Sequence, residues 1–212
     1  MRSACIAPLR RRAAALLASI RRDTTGAAAI EFAFLVPVML VMLLGTIEVS
    51  RGISMDRRFS LVTSMVGDLV AREKTIGPSP TAAMFGIMKS AKTIMAPYDS
   101  ATLKLKILSV MALKADTKQG TVKWAYDCTA SSCTLSATSS TCNAYALPAG
   151  IVSQGSSVVI VESQYNFSPL FTHWTKDPMK GATWNDKSTH SPRQVCVDDG
   201  SGCTAPAACP NG

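Results

Sequence analysis

The sequence predicts an α+β protein in which a long N-terminal transmembrane helix runs into a small extracytoplasmic domain. Residues 32–47 carry no charged side chain, and with residues 27–30 this apolar run reaches the length of about 20 residues that a helix needs to cross a bilayer. Beyond residue 102 the hydrophobic period changes from that of a helix to the period of two that marks strands. Six of the seven cysteines lie within residues 128–212, where they predict disulfide-stapled loops.

Residues 1–26 form a basic leader that contains six arginines and one acid, Asp23. Only three arginines follow the span closely, and Glu48 and Asp56 dilute them. The positive-inside bias therefore predicts a cytoplasmic leader and an exported C-terminal part. Inside the apolar run stands Glu31, and a carboxylate there costs about 2.5–3.5 kcal/mol at the bilayer centre and less near the interface. Either Glu31 has a purpose in the membrane or it snorkels to the interface of a permanent anchor.

The transmembrane helix is predicted over residues 27–47, with Pro37 inside it, and its continuation over residues 48–77. One apolar stripe recurs at intervals of three and four in the continuation, formed by Met55, Phe59, Val62, Val66 and Leu69. Gly77 and Pro78 then end the helix. The stripe fits packing on this chain's own sheet, which we favour, or a coiled-coil contact with a partner.

The rest of the chain, residues 78–212, is predicted to be the exported domain. A second helix begins at Ser79 and Pro80 and ends before Pro97, with one face formed by Met84, Ile87, Met88, Ala91, Ile94 and Met95. A strand over residues 103–113, a turn over residues 116–120 and a return strand through Val122, Trp124 and Tyr126 predict a hairpin with one buried and one wet face. A further strand covers residues 157–167. The second helix is therefore expected to pack on an antiparallel sheet of about three to four strands.

Residues 128–150 show no hydrophobic period and are interpreted as a surface loop. Zinc sites need close cysteine pairs, whereas the gaps between these cysteines are four, eight, 53, six and five residues. Disulfides are therefore favoured over zinc, with 15 possible connectivities. The candidates are Cys128, Cys133, Cys142, Cys196, Cys203 and Cys209.

Composition argues against several functions. The net charge of +8 owes six of its 22 basic residues to the leader, and the remaining surplus forms no basic stripe, so nucleic acid is not an expected partner. No nucleophile elbow, phosphate loop or zinc-protease motif occurs. Asp198, Asp199 and Gly200 lack the alternating donors of a calcium loop. We expect no metal, no cofactor and no enzymatic activity.

The junction at Gly26, with Glu31, Phe32 and then Leu35-Val36-Pro37, resembles the processing site of type IV prepilin-like proteins. Within that class it resembles the TadE and TadG pseudopilins of the Tad (Flp, tight adherence) pilus. The resemblance implies that a prepilin peptidase cleaves after Gly26 and frees an α-amine on Ala27. It also implies that Glu31 of one subunit pairs with such an amine of a neighbour. A looser similarity extends to about residue 196, although the family pattern does not lead us to expect the cysteines at 128–142 and 203–209.

The resemblance implies a minor pseudopilin-like component of Tad pilus assembly. Its expected partners are the inner membrane, the prepilin peptidase, other pilins or pseudopilins and the Tad assembly machinery. The expected location is the bacterial inner membrane, single-pass, with the N-terminus cytoplasmic and the C-terminal domain periplasmic. Incorporation of the protein in or at the base of the pilus is a further option. The alternative is an uncleaved single-pass membrane-anchored extracytoplasmic binding protein, and processing of the leader distinguishes the two.

Overall fold

The computed structural model describes residues 26–76, 82–112, 119–138, 143–148, 150–169, 183–198, 200 and 202–203. The chain divides into two compact units, Met1–Val49 and Ser50–Gly212. Helix α1 (Ala27–Arg72) belongs to both units and runs through Pro37 without ending there. The leader lies outside the described residues.

The second unit is an α+β domain built on one antiparallel sheet of six strands. Its strands pair in the order β3-β2-β1-β5-β6, and β4 pairs with β2 outside that path. The elements after α1 are α2 (Ala82–Met95), β1 (Lys104–Met111), β2 (Gln119–Thr129), β3 (Cys133–Thr138), β4 (Ala144–Ala146), β5 (Ser157–Asn166) and β6 (Thr183–His190). The predicted fold class is thus confirmed, with more strands than the three to four expected.

The apolar stripe of α1 packs in this chain's own core. Met55, Phe59, Val62 and Val66 are buried, Leu69 is partly buried, and all belong to one cluster with side chains of the sheet. Burial of this amphipathic face, more than helix propensity, is what stabilises such a helix. The favoured interpretation of the stripe is therefore confirmed.

Helix α1 ends at Arg72, before the predicted boundary at residue 77. Thr75 instead forms a parallel bridge with Asp198. The backbone N of Ile76 donates to the carbonyl of Asp198 at 2.7 Å, and the N of Asp198 donates to the carbonyl of Lys74 at 3.1 Å. Pairing with a distant segment requires extended backbone, which stops the helix early.

Helix α2 buries the predicted face. Met84, Ile87, Met88, Ala91 and Met95 are all buried, and Ile94 is partly buried. The proposed cap at Ser79 and Pro80 lies outside the described residues. At the other end Arg58 of α1 donates to the carbonyls of Ile94 and Ala96, so a side chain of one helix satisfies free carbonyls at the end of the other.

The sheet has apolar side chains on both faces, so the prediction of a hairpin with one wet face is wrong for half of its length. One face carries the main core with both helices, including Leu105, Ile107 and Tyr126. The other carries a smaller cluster around Leu108 and Ile160. A bulge at Lys123 lets Trp124 pair with Ser109 and Val122 with Val110, which places Val122 in the smaller cluster.

Strands form within the predicted surface loop and in residues 183–190, for which no strand was predicted. Residues 133–138 and 144–146 pair with β2, and residues 183–190 pair with β5. Each of these strands lies outside the central pair β1 and β5 and carries mainly Ser, Thr, Ala, Asn or charged side chains. A strand that pairs along one neighbour and buries little needs no apolar alternation, so its sequence resembles a loop.

Disulfides close two short loops of the domain. Cys128 pairs with Cys133 across the turn between β2 and β3, and Cys196 pairs with Cys203 after β6. The prediction of disulfides is confirmed for these four cysteines. Cys142 and Cys209 lie outside the described residues.

Candidate processing and assembly site

The predicted processing junction lies at the start of α1. Ala27 is the first helical residue, and the N of Ile30 donates to the carbonyl of Gly26 at 3.1 Å. Gly26 and Ala27 are both exposed. The peptide bond between them is therefore accessible at the end of a helix rather than protected inside one.

The fold places no demand for a glycine at position 26. Among the residues that the structure describes, a Cβ added to Gly26 meets no atom within 4 Å, and the Gly26 backbone is not in the left-handed region. Gly67 differs, because a Cβ there would lie 2.2 Å from Cδ2 of His190. Gly26 is thus free of the two structural reasons that commonly fix a glycine, a close contact and a positive φ.

The helix after the junction exposes a continuous apolar surface. Among the described residues α1 is the one helix long and apolar enough to cross a membrane, and none of its most apolar 18-residue window is buried. Ten large side chains between Ile30 and Leu43 are 50–76% exposed. Full burial of one such side chain stabilises by about 1.5–3 kcal/mol, so covering the stretch is worth more than about 10 kcal/mol. The helix is therefore a candidate membrane anchor.

Glu31 and Phe32 lie on the exposed first turns of this helix. Phe32 is 63% exposed and continues the apolar surface. Glu31 forms no ion pair with any residue in the described part of the chain. Ala27 and Glu31 are four positions apart, so they lie on the same face one turn from each other. An α-amine on Ala27 would therefore lie close to the carboxylate of its own helix.

A polar groove of about 730 Å³ lies on the sheet of the second unit. Strand register aligns Asp127, Lys106, Glu162 and Lys187 in a row of alternating charge across β2, β1, β5 and β6. Sequence alternation placed Lys104 and Lys106 on a wet face, but the partners across the sheet depend on pairing of distant strands and could not be predicted.

Tyr145 contacts two residues that line this groove, Glu162 and Lys187. Its hydroxyl donates to Oε1 of Glu162, and Nζ of Lys187 lies 4.7 Å from the centre of its ring. Burial, and then the hydrogen bond with Glu162, raise the pKa of Tyr145 above its ordinary value near 10. The hydroxyl therefore stays protonated and acts as a donor that orients Glu162.

The described residues offer little that could support catalysis. They contain no cluster of three His, Cys, Asp or Glu side chains that could hold a metal ion. His190 lies against α1 at Gly67 and makes no hydrogen bond through its buried Nε2 within the described part of the chain. His173 lies outside that part. Asp198 forms a parallel bridge with Thr75.

Comparison with known proteins tests the family resemblance. Residues 26–66 match the family model of the TadE-like protein. No curated protein and no solved structure shows a significant match to the chain. The family is one of pilus structural or assembly components and is not known for enzymes. Over residues 26–66 the chain is therefore similar to TadE-like proteins, components associated with the Tad pilus, which confirms the resemblance drawn from Gly26, Glu31 and Phe32.

Proposed function

We propose that this chain is a minor pseudopilin-like component of Tad pilus assembly, anchored in the inner membrane by residues 27–47 and processed by a prepilin peptidase after Gly26. One observation carries the proposal. A bare apolar helix begins directly after a glycine that the fold does not require, and both lie inside the TadE-like match.

The proposed topology places the leader, residues 1–26, in the cytoplasm and residues 78–212 in the periplasm. Six arginines before Gly26 support this orientation. The disulfides Cys128–Cys133 and Cys196–Cys203 also support it, since disulfides persist in oxidising compartments. Helix residues 50–72 belong to the second unit, and residues 55–70 contribute to its core.

The proposed assembly step uses the charge pair at the start of the helix. Cleavage would remove the arginine-rich leader and leave an ammonium group on Ala27. A carboxylate in hydrocarbon is costly when isolated, and an amine beside it removes much of that cost. Lateral packing of helices would bring Glu31 of one subunit to Ala27 of the next, while the exported domain selects pilin or pseudopilin partners of the Tad machinery.

The test is the N-terminal residue and intact mass of the protein isolated from native membranes. We expect the wild-type chain to begin at Ala27 and a Gly26→Leu variant to keep its leader. Gly45→Leu is the matched control, because a Cβ at Gly45 also meets no atom within 4 Å in the described part of the chain and Gly45 lies in the helix that follows the junction. This control should be processed normally.

A wild-type chain that keeps its leader in native membranes would overturn the proposal. The uncleaved, membrane-anchored binding protein would then be the better description. Processing of the Gly26→Leu variant at the same rate as the wild type would equally contradict a role for Gly26 in peptidase recognition.

A further inference from the structure

The C-terminal loop closed by Cys196 and Cys203 docks onto the domain through buried contacts. We call it the tail clasp and define it by Cys196, Val197, Asp198, Gly202 and Cys203. Cys196 and Val197 are 1% and 0% exposed. Within the loop the N of Gly202 donates to Oδ1 of Asp198 at 2.8 Å. The Cys196 end of the clasp is therefore buried in the domain, whereas Gly202 is partly buried and Cys203 is exposed.

Beneath the clasp lies a buried lysine. Lys123 is the extra residue of the bulge in β2 and is 1% exposed. Its Nζ donates to the carbonyl of Gly202 in the clasp. In the described part of the chain no carboxylate forms an ion pair with it. A buried ammonium group without hydrogen-bond acceptors is strongly unfavourable, so the burial of Lys123 depends on the clasp carbonyl.

The same clasp joins β2 to the end of α1. Nε1 of Trp124 donates to the carbonyl of Val197 at 2.8 Å. Asp198 exchanges backbone hydrogen bonds with Lys74 and Ile76, at 3.1 and 2.7 Å. Undocking the clasp would therefore leave the indole and two extended residues after α1 without these partners.

The disulfide lies where it can control this docking. Val197 and Asp198 follow Cys196 directly, and Gly202 precedes Cys203 directly, so the contacts lie beside the two cysteines. Without the crosslink the two ends of the loop move independently, and the entropy lost on bringing them together opposes docking. The carbonyl for Lys123 and the bridge to Ile76 would then no longer be held together.

We propose that the tail clasp docks only when Cys196 and Cys203 are oxidised, which makes it a redox-dependent fastener of the domain. In the closing step two thiols lose two protons and two electrons as the S–S bond forms. The electron acceptor is a disulfide, carried by a protein oxidant or by oxidised glutathione, which is reduced to two thiols. If the domain is exported as proposed, the clasp closes only after the chain leaves the reducing cytoplasm.

The experiment compares the full chain in detergent micelles with Cys196→Ser/Cys203→Ser and with the matched control Cys128→Ser/Cys133→Ser. Acetylation of Lys123 by an activated ester and hydrogen exchange of the Ile76 amide report the clasp. Exchange of β5 amides reports the core. We expect the Cys196→Ser/Cys203→Ser variant to show at least a tenfold rise in both clasp rates with β5 still protected, and the control to behave as the wild type.

Retained protection of Lys123 and Ile76 in the Cys196→Ser/Cys203→Ser variant would overturn the proposal. If β5 protection is lost as well, Lys123→Met is added to that variant. Restored β5 protection in this triple variant would support the proposal, because the buried ammonium group that lost its carbonyl partner has been removed. If β5 protection remains lost, the proposal is refuted. Neither readout depends on leader processing, so failure of the clasp and failure of the proposed function give different results.

Discussion

The contact between α1 and β6 allows a sharp test of how the domain is packed. Gly67 faces the imidazole of His190 so closely that an added Cβ would lie 2.2 Å from Cδ2 and 2.6 Å from Nε2. Carbon atoms in favourable contact are about 3.5–4.0 Å apart. A Gly67→Ala substitution must therefore displace His190, the helix or both.

The size of the effect follows from two opposing terms. Forcing an extra carbon into a packed site costs about 1–3 kcal/mol, and the depth of this overlap argues for the upper half of that range. Alanine in place of glycine inside a helix returns about 1 kcal/mol. We therefore expect Gly67→Ala to lower the free energy of unfolding by about 1–2 kcal/mol.

Urea unfolding of the full chain in micelles, followed by tryptophan fluorescence, measures this change. Gly86→Ala is the matched control, because Gly86 is an exposed helical glycine whose added Cβ meets no atom within 4 Å. It should stabilise by up to about 1 kcal/mol. In a chain that already carries His190→Ala, adding Gly67→Ala should cost little stability, because the imidazole atoms that clash with the new Cβ are absent.

Two results would refute the reasoning. One is a Gly67→Ala variant that is as stable as Gly86→Ala, which would mean that α1 does not approach β6 this closely. The other is a Gly67→Ala destabilisation of the same size in the wild-type and His190→Ala backgrounds, which would mean that the clash is not with His190.

Three further predictions concern β2, the groove and the membrane helix. Gly120→Ala should destabilise by about 1–3 kcal/mol in urea unfolding, because the new Cβ would lie 2.4 Å from Cγ1 of Val110; an unchanged midpoint would contradict this. Folding raises the pKa of Tyr145 above that of an unfolded tyrosine, so above about pH 10 the unfolded chain releases a proton that the folded chain keeps, and stability falls. Thermal melts at pH 8 and 11 should show a smaller alkaline loss for Tyr145→Phe than for the wild type, and equal losses would exclude the contribution of the buried hydroxyl and Glu162. Glu31→Gln should insert into the membrane normally but reduce piliation counted by electron microscopy, with Glu31→Asp less affected; normal piliation of Glu31→Gln would exclude the proposed pairing.

The helices and the central strands could be predicted because each buries an apolar face. The stripe from Met55 to Val66, the face of α2 and the alternation in β1 all follow from the period with which a helix or strand meets a core. For β5 the unbroken run of apolar residues from Val158 to Val161, all of which are buried, is enough to predict a strand. In these elements local sequence and tertiary packing agree.

The outer strands could not be predicted, because their formation depends on a neighbour rather than on their own pattern. In β6 all eight residues are exposed or partly buried, and the pairing of Glu162 with Lys187 is set by β5. The bulge at Lys123 reverses the alternation of β2, so Val122 and Trp124, two positions apart in the sequence, lie in clusters on opposite faces of the sheet. A buried lysine satisfied by a carbonyl 79 residues away has no signal in the local sequence.

The glycines show how a functional constraint can be separated from a structural one. Gly67 and Gly120 are fixed by contacts under 3 Å, so their identity follows from packing alone. Gly26 has no such contact and no positive φ, yet it stands at the first position of the TadE-like match. Because the described fold does not require glycine at position 26, recognition by a peptidase can determine the residue there. Substitution of Gly26 should therefore leave the stability of the second unit unchanged while it alters processing, which makes the two roles experimentally separable.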